Sequence, residues 1–364
     1  MGTADFPAGP FDSARHVLPP EWDRHEACWM AWPVDLSPWG DPRLFSEAQE
    51  AYLDVARAIA RFEPVRILAP PAEVDSVRSR AGEGIEILPA ELEFEWMRDH
   101  GPTFAVDRID RRAVGIAWDF NGYGRRFTPF DKTVLARRAL LERLRIERWD
   151  CPMVLEGGAV HWDGSGTLIT TEECLLNPNR NPSMSREDIE STLAGYLGVR
   201  KVIWLPFGLE DDDTDGHVDE VAAFAGPAQV VALDEDDPSD GNFRRLKANL
   251  EVLESETDAS GRRLDVIAIR QPRREGHPIH GTRLPLSYIN SYIANGGLVM
   301  PSFGDSVADA AARERMADAF PGREVVQVDG LAITKGGGCI HCITQQQPDP
   351  GEAPERPREF GTVG

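Results

Sequence analysis

Four short segments carry residue types that can do chemistry together: EWMRDHGP at 95–102, EGG at 156–158, DTDGHVDE at 213–220 and GGGCIHC at 336–342. Cys342 follows three glycines and His341, and a glycine backbone lets a substrate approach closely. A thiol attacks as the thiolate, so it needs a cationic or proton-accepting neighbour, and His217 can serve. Inert packing is the alternative for a lone buried cysteine. Asp99 and Asp219 come from different segments, and each can bind a planar cation through two parallel hydrogen bonds, which suits a guanidinium. Trp96 can lie over that cation, although a tryptophan is more often a core residue. Glu156 can hold the His217 ring in one orientation or simply cap a turn.

The acidic run DDDTDGHVDEVA admits two other readings. Asp211, Asp213, Asp215 and Gly216 match positions 1, 3, 5 and 6 of an EF-hand calcium loop. Position 12 then holds Ala222 where a bidentate Glu is needed, and the flanks WLPFG and VAAFAG read as strands. Asp215, His217 and Asp219 also form D-x-H-x-D, a spacing similar to the ligand motif of dimanganese ureohydrolases, which release urea from guanidino compounds. The carboxylates that would bridge two ions are missing at fixed spacing, since Asp234, Asp236 and Asp237 fall at the wrong intervals.

The elements that must position these residues repeat: a β-hairpin, an amphipathic helix, then a short apolar strand. Hairpins turn near Asp110, at DGSG 163–166, at Gly226 and Pro227, and at Asn295 and Gly296. Helices are expected over 133–144, 185–197, 241–256 and 306–320, each leading to a strand: IERWDCP, KVIWLP, DVIAIRQP and EVVQVDG. A fifth unit forms if the last strand, CIHCITQQQ, pairs with HEACWMAWP, followed by the helix SEAQEAYLDVARAIARF and the strand PVRIL. The ring then closes between the chain ends and leaves no exposed sheet edge; an open α/β sheet is the alternative. This reading divides the chain into an amino-terminal segment 1–20, a single α/β domain 21–347, and a Pro-, Gly- and charge-rich tail 348–364 that is expected to be disordered.

The chain has 364 residues, with 39 Lys and Arg against 61 Asp and Glu and a formal charge of −22. Such acidity disfavours nucleic acid and anionic membrane surfaces and favours a small cationic partner. With no signal pattern and no long apolar run, a cytoplasmic protein is expected, with room for a homo-oligomer. Five cysteines in so long a chain are not a disulfide framework. An acidic protein that only binds polyamines would use Asp99 and Asp219 but leave Cys342 and His217 unexplained.

WMRDHGPTF, EGGAVHWDGSGTLITTEECLLNPNRNP, DTDGHVDEVAAF, SYIANGG and GGGCIHCITQQQP follow one another over nearly the whole chain. Together they resemble the successive motifs of the agmatine deiminase and bacterial peptidyl-arginine deiminase family. The resemblance implies the pentein fold, a five-bladed α/β propeller around a central active site. It implies Cys342 as nucleophile, His217 as general acid and base, Asp99 and Asp219 as guanidinium ligands, and Glu156 and Trp96 as support. Asn290, just before SYIANGG, joins the expected substrate contacts. The implied chemistry is covalent and needs no metal or organic cofactor: agmatine would give N-carbamoylputrescine and ammonia, a step of putrescine and polyamine biosynthesis.

Three departures stand out. Cys339 and Asp215 occupy positions where the family commonly has Asn. FNGYGRRFTPFD replaces a tryptophan-and-glycine loop of agmatine enzymes, and its Arg125 and Arg126 are similar to arginines that hold a substrate carboxylate in peptidyl-arginine deiminases. Arginine or peptidyl-arginine is therefore the alternative substrate. Asp213 is the expected partner for the far amine of agmatine.

Overall fold

The computed structural model describes residues 9–273 and 275–351. Most of the expected tail 348–364 and part of segment 1–20 lie outside the described residues. The described strands form five small sheets, each built on the expected hairpin, helix and parallel strand. Thr103–Asp107 pairs antiparallel with Arg112–Asp119, and Glu147–Val154 adds in parallel after the helix Asp131–Leu144. The same order recurs in Val160–Trp162, Thr167–Thr171 and Lys201–Leu205. It recurs again in Ala222–Gly226, Gln229–Asp234 and Asp265–Arg270, and in Tyr292–Ala294, Gly297–Ser302 and Glu324–Asp329.

The fifth sheet joins the two ends of the chain. Thr344–Pro348 pairs antiparallel with His25–Ala31, which pairs in parallel with Val65–Ala69 and through it with Ile85–Pro89. Its helix starts at Pro42, four residues before the expected start, because Asp41 accepts hydrogen bonds from the Arg43 and Leu44 amides and Pro42 occupies the first turn. That helix buries Ala48, Tyr52, Val55, Ala56 and Ile59 at helical spacing. Each large side chain buried this way stabilises the fold by about 1.5–3 kcal/mol. No helix among the described residues is long and apolar enough to cross a membrane.

One expected element is corrected. CIHCITQQQ is not a continuous strand: residues 340–343 form turns and only Thr344–Pro348 is extended. The reason is local hydrogen bonding, with the Ile343 amide donating to the Cys339 carbonyl and the Thr344 amide to that of His341. Cys342 therefore stands at the mouth of the final strand instead of on it.

Candidate active site

Each of the five sheets delivers a polar residue from just before its first strand. Asp99 lies in the short helix Met97–His100, ahead of Thr103. Glu156 precedes the turn Gly157–Ala159, ahead of Val160. His217 precedes the turn Val218–Glu220, which carries Asp219 and leads to Ala222. Asn290 stands before Tyr292, and Cys342 before Thr344. Ring closure thus converts five distant segments into one centre.

The groups converge on Gly158. A Cβ there would lie 2.6 Å from Nδ1 of His217 and 2.9 Å from carboxylate oxygens of both Asp99 and Asp219, so only glycine fits. His217 Nδ1 is 3.6 Å from Asp99 Oδ1, and neither ring nitrogen has a hydrogen-bond partner among the described residues. Cys342 Sγ is 3.6 Å from Asp219 Oδ2 and 3.7 Å from Glu220 Oε1. Asp99 is held on both oxygens, by the Gly158 amide and the Tyr123 hydroxyl, each at 2.9 Å. Asp219 Oδ2 takes a 2.8 Å contact from His341 Nδ1, and its Oδ1 has no partner among the described residues. Two oriented carboxylates, a thiol and an imidazole thus meet around Gly158, an acceptor-rich set of the kind that suits a planar cation.

Above them a pocket is lined by Trp96, Tyr123, Phe127, Gly338 and Cys342, with the carboxyl groups of Glu95, Asp99 and Asp213 among its walls. Trp96 stacks on Trp39, with ring centroids 6.4 Å apart and planes within 13°. At Gly338 a Cβ would come within 2.9 Å of the Trp96 ring and 3.1 Å of Cys342 Sγ. The last of the three glycines therefore keeps the approach to the thiol open.

Burial and the charges of Asp219, Glu220 and Asp99 push the Cys342 thiol well above its usual range. Burial works against an imidazolium at His217, but Asp99, Cys174 and Asp219 outweigh it and raise the ring well above its usual value. Burial pushes Asp99 up to about 6, opposed by His217 and reinforced by Asp219. Asp219 and Glu220 divide: burial opposes both anions, yet contact with His341 and the charges of His341 and His217 keep Asp219 low, and its charge in turn drives Glu220 up.

Glu156 is buried, and its Oε1 accepts from Arg180 Nε at 2.7 Å. With Cys174 and His217 it brings ligand-type atoms within 4.8 Å of one another. Asp215, the first residue of D-x-H-x-D, is engaged by Arg180 at 2.6 Å and Arg126 at 3.3 Å instead of facing His217. Glu21, His161 and His341 form another grouping with metal-ligand chemistry, and there Arg98 sits against Glu21 at 3.0 Å. In both places a guanidinium already supplies the cation.

Other expected site residues sit elsewhere. Asp213 lies at the pocket mouth, half exposed, and Arg126 holds it at 2.6 Å. Arg126 lines the outer cavity beyond that mouth, while the side chain of Arg125 is exposed. Asn290 is fully buried beneath the thiol and contacts Cys342 and Glu220, not the pocket. Residues passed over in the sequence include Tyr123, Glu220, Arg180 and the chain Asp219–His341–Glu21–Arg98. Only Glu220, adjacent to Asp219 in an acidic turn, carried a readable signal.

A family model described as Porphyromonas-type peptidyl-arginine deiminase matches residues 17–348. An agmatine deiminase of Pseudomonas aeruginosa is 42% identical over 367 residues, covering 92% of this chain and 96% of the relative. An agmatine deiminase of Medicago truncatula is 41% identical over 360 residues, covering 91% and 96%. Among solved structures, an agmatine deiminase of Enterococcus faecalis aligns with a TM-score of 0.88 at 32% identity, covering 93% of this chain and 97% of that one.

Proposed function

The chain belongs to the Porphyromonas-type peptidyl-arginine deiminase family, and from that premise we propose that it hydrolyses the guanidino C–N bond of agmatine, giving N-carbamoylputrescine and ammonia. The observation that carries the reading is the convergence of His217, Asp99 and Asp219 on Gly158 with Cys342 beside them. In this reading Asp99 and Asp219 grip the guanidinium and Trp96 covers its face.

His217 enters as the imidazolium that the surrounding carboxylates favour, and the bound cation offsets their field around Cys342 so that the thiol releases its proton to solvent and a thiolate stands beside the charged ring. Sγ then bonds to the guanidinium carbon, and the C–N bond to one amino group breaks. Ammonia leaves with the proton that His217 carries, and a thiouronium remains on Cys342. His217 next takes a proton from water, hydroxide adds to the same carbon, and the C–S bond breaks to release the urea-type product and the thiol. Glu156, paired with Arg180 within reach of His217, orients the ring as it changes protonation.

Agmatine fits better than arginine because of the pocket mouth. Arg126 is already paired with Asp213 and Asp215, so the nearest arginine is neutralised rather than free to bind a carboxylate. Glu95 also lines the pocket, buried and with Oε2 lacking a partner among the described residues, and burial raises its carboxyl to about 8. Glu95 thus offers an unoccupied acceptor oxygen that a bound amine would help to ionise, and Asp213 adds a carboxylate shared with Arg126. Incubating purified protein with agmatine, arginine and a peptide ending in arginine tests the reading. Ammonia and N-carbamoylputrescine from agmatine are expected; urea, or turnover of the carboxylate-bearing compounds alone, would overturn it.

A further inference from the structure

Asn290 divides its hydrogen-bonding capacity between the turn that carries Cys342 and the side chain of Glu220. Its Oδ1 accepts the backbone amides of His341 at 2.8 Å and of Cys342 at 3.4 Å. Its Nδ2 donates to Glu220 Oε1 at 3.1 Å and points at Cys342 Sγ at 3.1 Å. Reversing the amide would set an NH2 group against two backbone N–H donors, so the donor end must face the sulfur. An N–H aimed at sulfur stabilises a thiolate far more than a thiol, because only the thiolate is a strong acceptor.

We propose that Asn290 is a catalytic donor to the Cys342 thiolate and that Glu220, in its protonated form, is the residue that positions it. Glu220 is buried, its Oε2 has no partner among the described residues, and Asp219 lies beside it in sequence and around the same sulfur. An ionised Glu220 there would be an uncompensated second anion against the nucleophile. As a neutral acid it leaves its carbonyl oxygen to accept from Asn290 and adds no charge that would hold the thiol proton in place. Other titratable groups gathered around the sulfur are Asp219, Asp99, Tyr123 and Tyr52, with His217 against Asp99 at the same centre. None of these occupies the donor position that Asn290 fills.

The inference rests on Cys342 being the nucleophile, not on which guanidino compound is used. Its test is the pH dependence of Cys342 alkylation by iodoacetamide, mapped to the Cys342 peptide, together with kcat and KM on agmatine. Asn290→Ala should move the alkylation midpoint up by about one pH unit and lower kcat by about tenfold or more while KM changes less than about threefold. Asn290→Asp, nearly isosteric, should be worse because it sets an acceptor against the sulfur. Glu220→Ala should resemble Asn290→Ala, and Glu220→Gln, a neutral isostere, should restore most of the loss. If Asn290→Ala does not fold, the Asn290→Asp result and the Glu220 pair carry the same test. An alkylation profile of Asn290→Ala or Asn290→Asp that superimposes on the parent would overturn the role of Asn290. A midpoint that drops in Glu220→Gln would show that Glu220 is ionised and overturn its role. Turnover that survives in Cys342→Ala would instead sink the reading on which both rest.

Discussion

Tyr123 donates its hydroxyl to Oδ2 of Asp99 at 2.9 Å, from a loop that bends back with Tyr123 at φ 56° and Gly124 at φ 71°. A tyrosine at positive φ is costly and persists only where the surroundings enforce it. Here Phe120 and Phe127 pack edge-on against its ring. The loop FNGYGRRFTPFD therefore contributes to the grip on Asp99.

Removing that hydroxyl should cost substrate binding more than chemistry. Tyr123→Phe is expected to raise KM for agmatine by roughly ten- to a hundredfold, the worth of one hydrogen bond to a charged group, with a smaller effect on kcat. Steady-state kinetics check this. An unchanged KM would mean that the Gly158 amide alone suffices to orient Asp99.

The pH profile should carry the signature of Asp99. Burial raises its carboxyl to about 6, so in the free enzyme the guanidinium acceptor forms as pH rises through about 6, and kcat/KM should fall away on the acid side of that point. Stability runs the other way. A raised carboxyl favours the folded state below its unfolded pKa, near about 4, and that contribution is lost as pH rises through about 6. Asp99→Asn, neutral at every pH, should therefore melt higher than the parent at pH 8 while losing nearly all activity. A lower Tm at pH 8 would contradict this account of the carboxylate.

Asp219 is the ionised partner, contacted by His341 at 2.8 Å, whose Nε2 in turn is 3.0 Å from Glu21. Burial and Arg98 oppose a charged His341, and Glu21 and Asp219 outweigh them, raising it above its usual value. On the proposed reading, Asp219→Asn replaces a carboxylate that grips the guanidinium by a neutral amide and presents donors to a donor-only cation. It should lower kcat/KM by about a hundredfold or more. A loss below about tenfold would remove Asp219 from the substrate grip.

At the mouth, Arg125 is exposed and Arg126 is bound by Asp213 and Asp215. Exposed pairs of this kind contribute about 1 kcal/mol or less. The double variant Arg125→Ala, Arg126→Ala should keep agmatine turnover within about threefold of the parent. Arginine should remain a poor substrate for both. Activity in the parent that favours arginine or a carboxyl-terminal arginine peptide by about tenfold, and that the double variant loses, would transfer the assignment to the carboxylate-bearing substrates.

The repeating units were legible because their signals are local. The DGSG turn is held by Asp163, which accepts from the Ser165 and Thr167 amides at 2.7 and 2.8 Å, and residues of this kind mark turns in any sequence. The strand at Cys342 was misread for the same reason. Alternation in ITQQQ resembles a strand, whereas the turn before it depends on Asn290, fifty-one residues from His341. The roles of Asn290 and of Glu21, the latter 320 residues from His341, exist only once the ring has closed. Cys342, His217, Asp99 and Asp219 stand out singly in the sequence as reactive types beside glycine and carboxylate, and the structure brings the four together. Their neighbours Tyr123 and Arg180 are ordinary until placed in three dimensions.

The central claim is a covalent bond between Cys342 and the guanidinium carbon. Acid-quenching the enzyme during steady-state turnover of agmatine, then mapping its peptides by mass spectrometry, tests this most directly. The account predicts an adduct on the Cys342 peptide with the mass of agmatine less ammonia, absent from Cys342→Ala, which should be inactive. Sustained turnover by Cys342→Ala, or urea released with the Cys342 peptide unmodified, would contradict it.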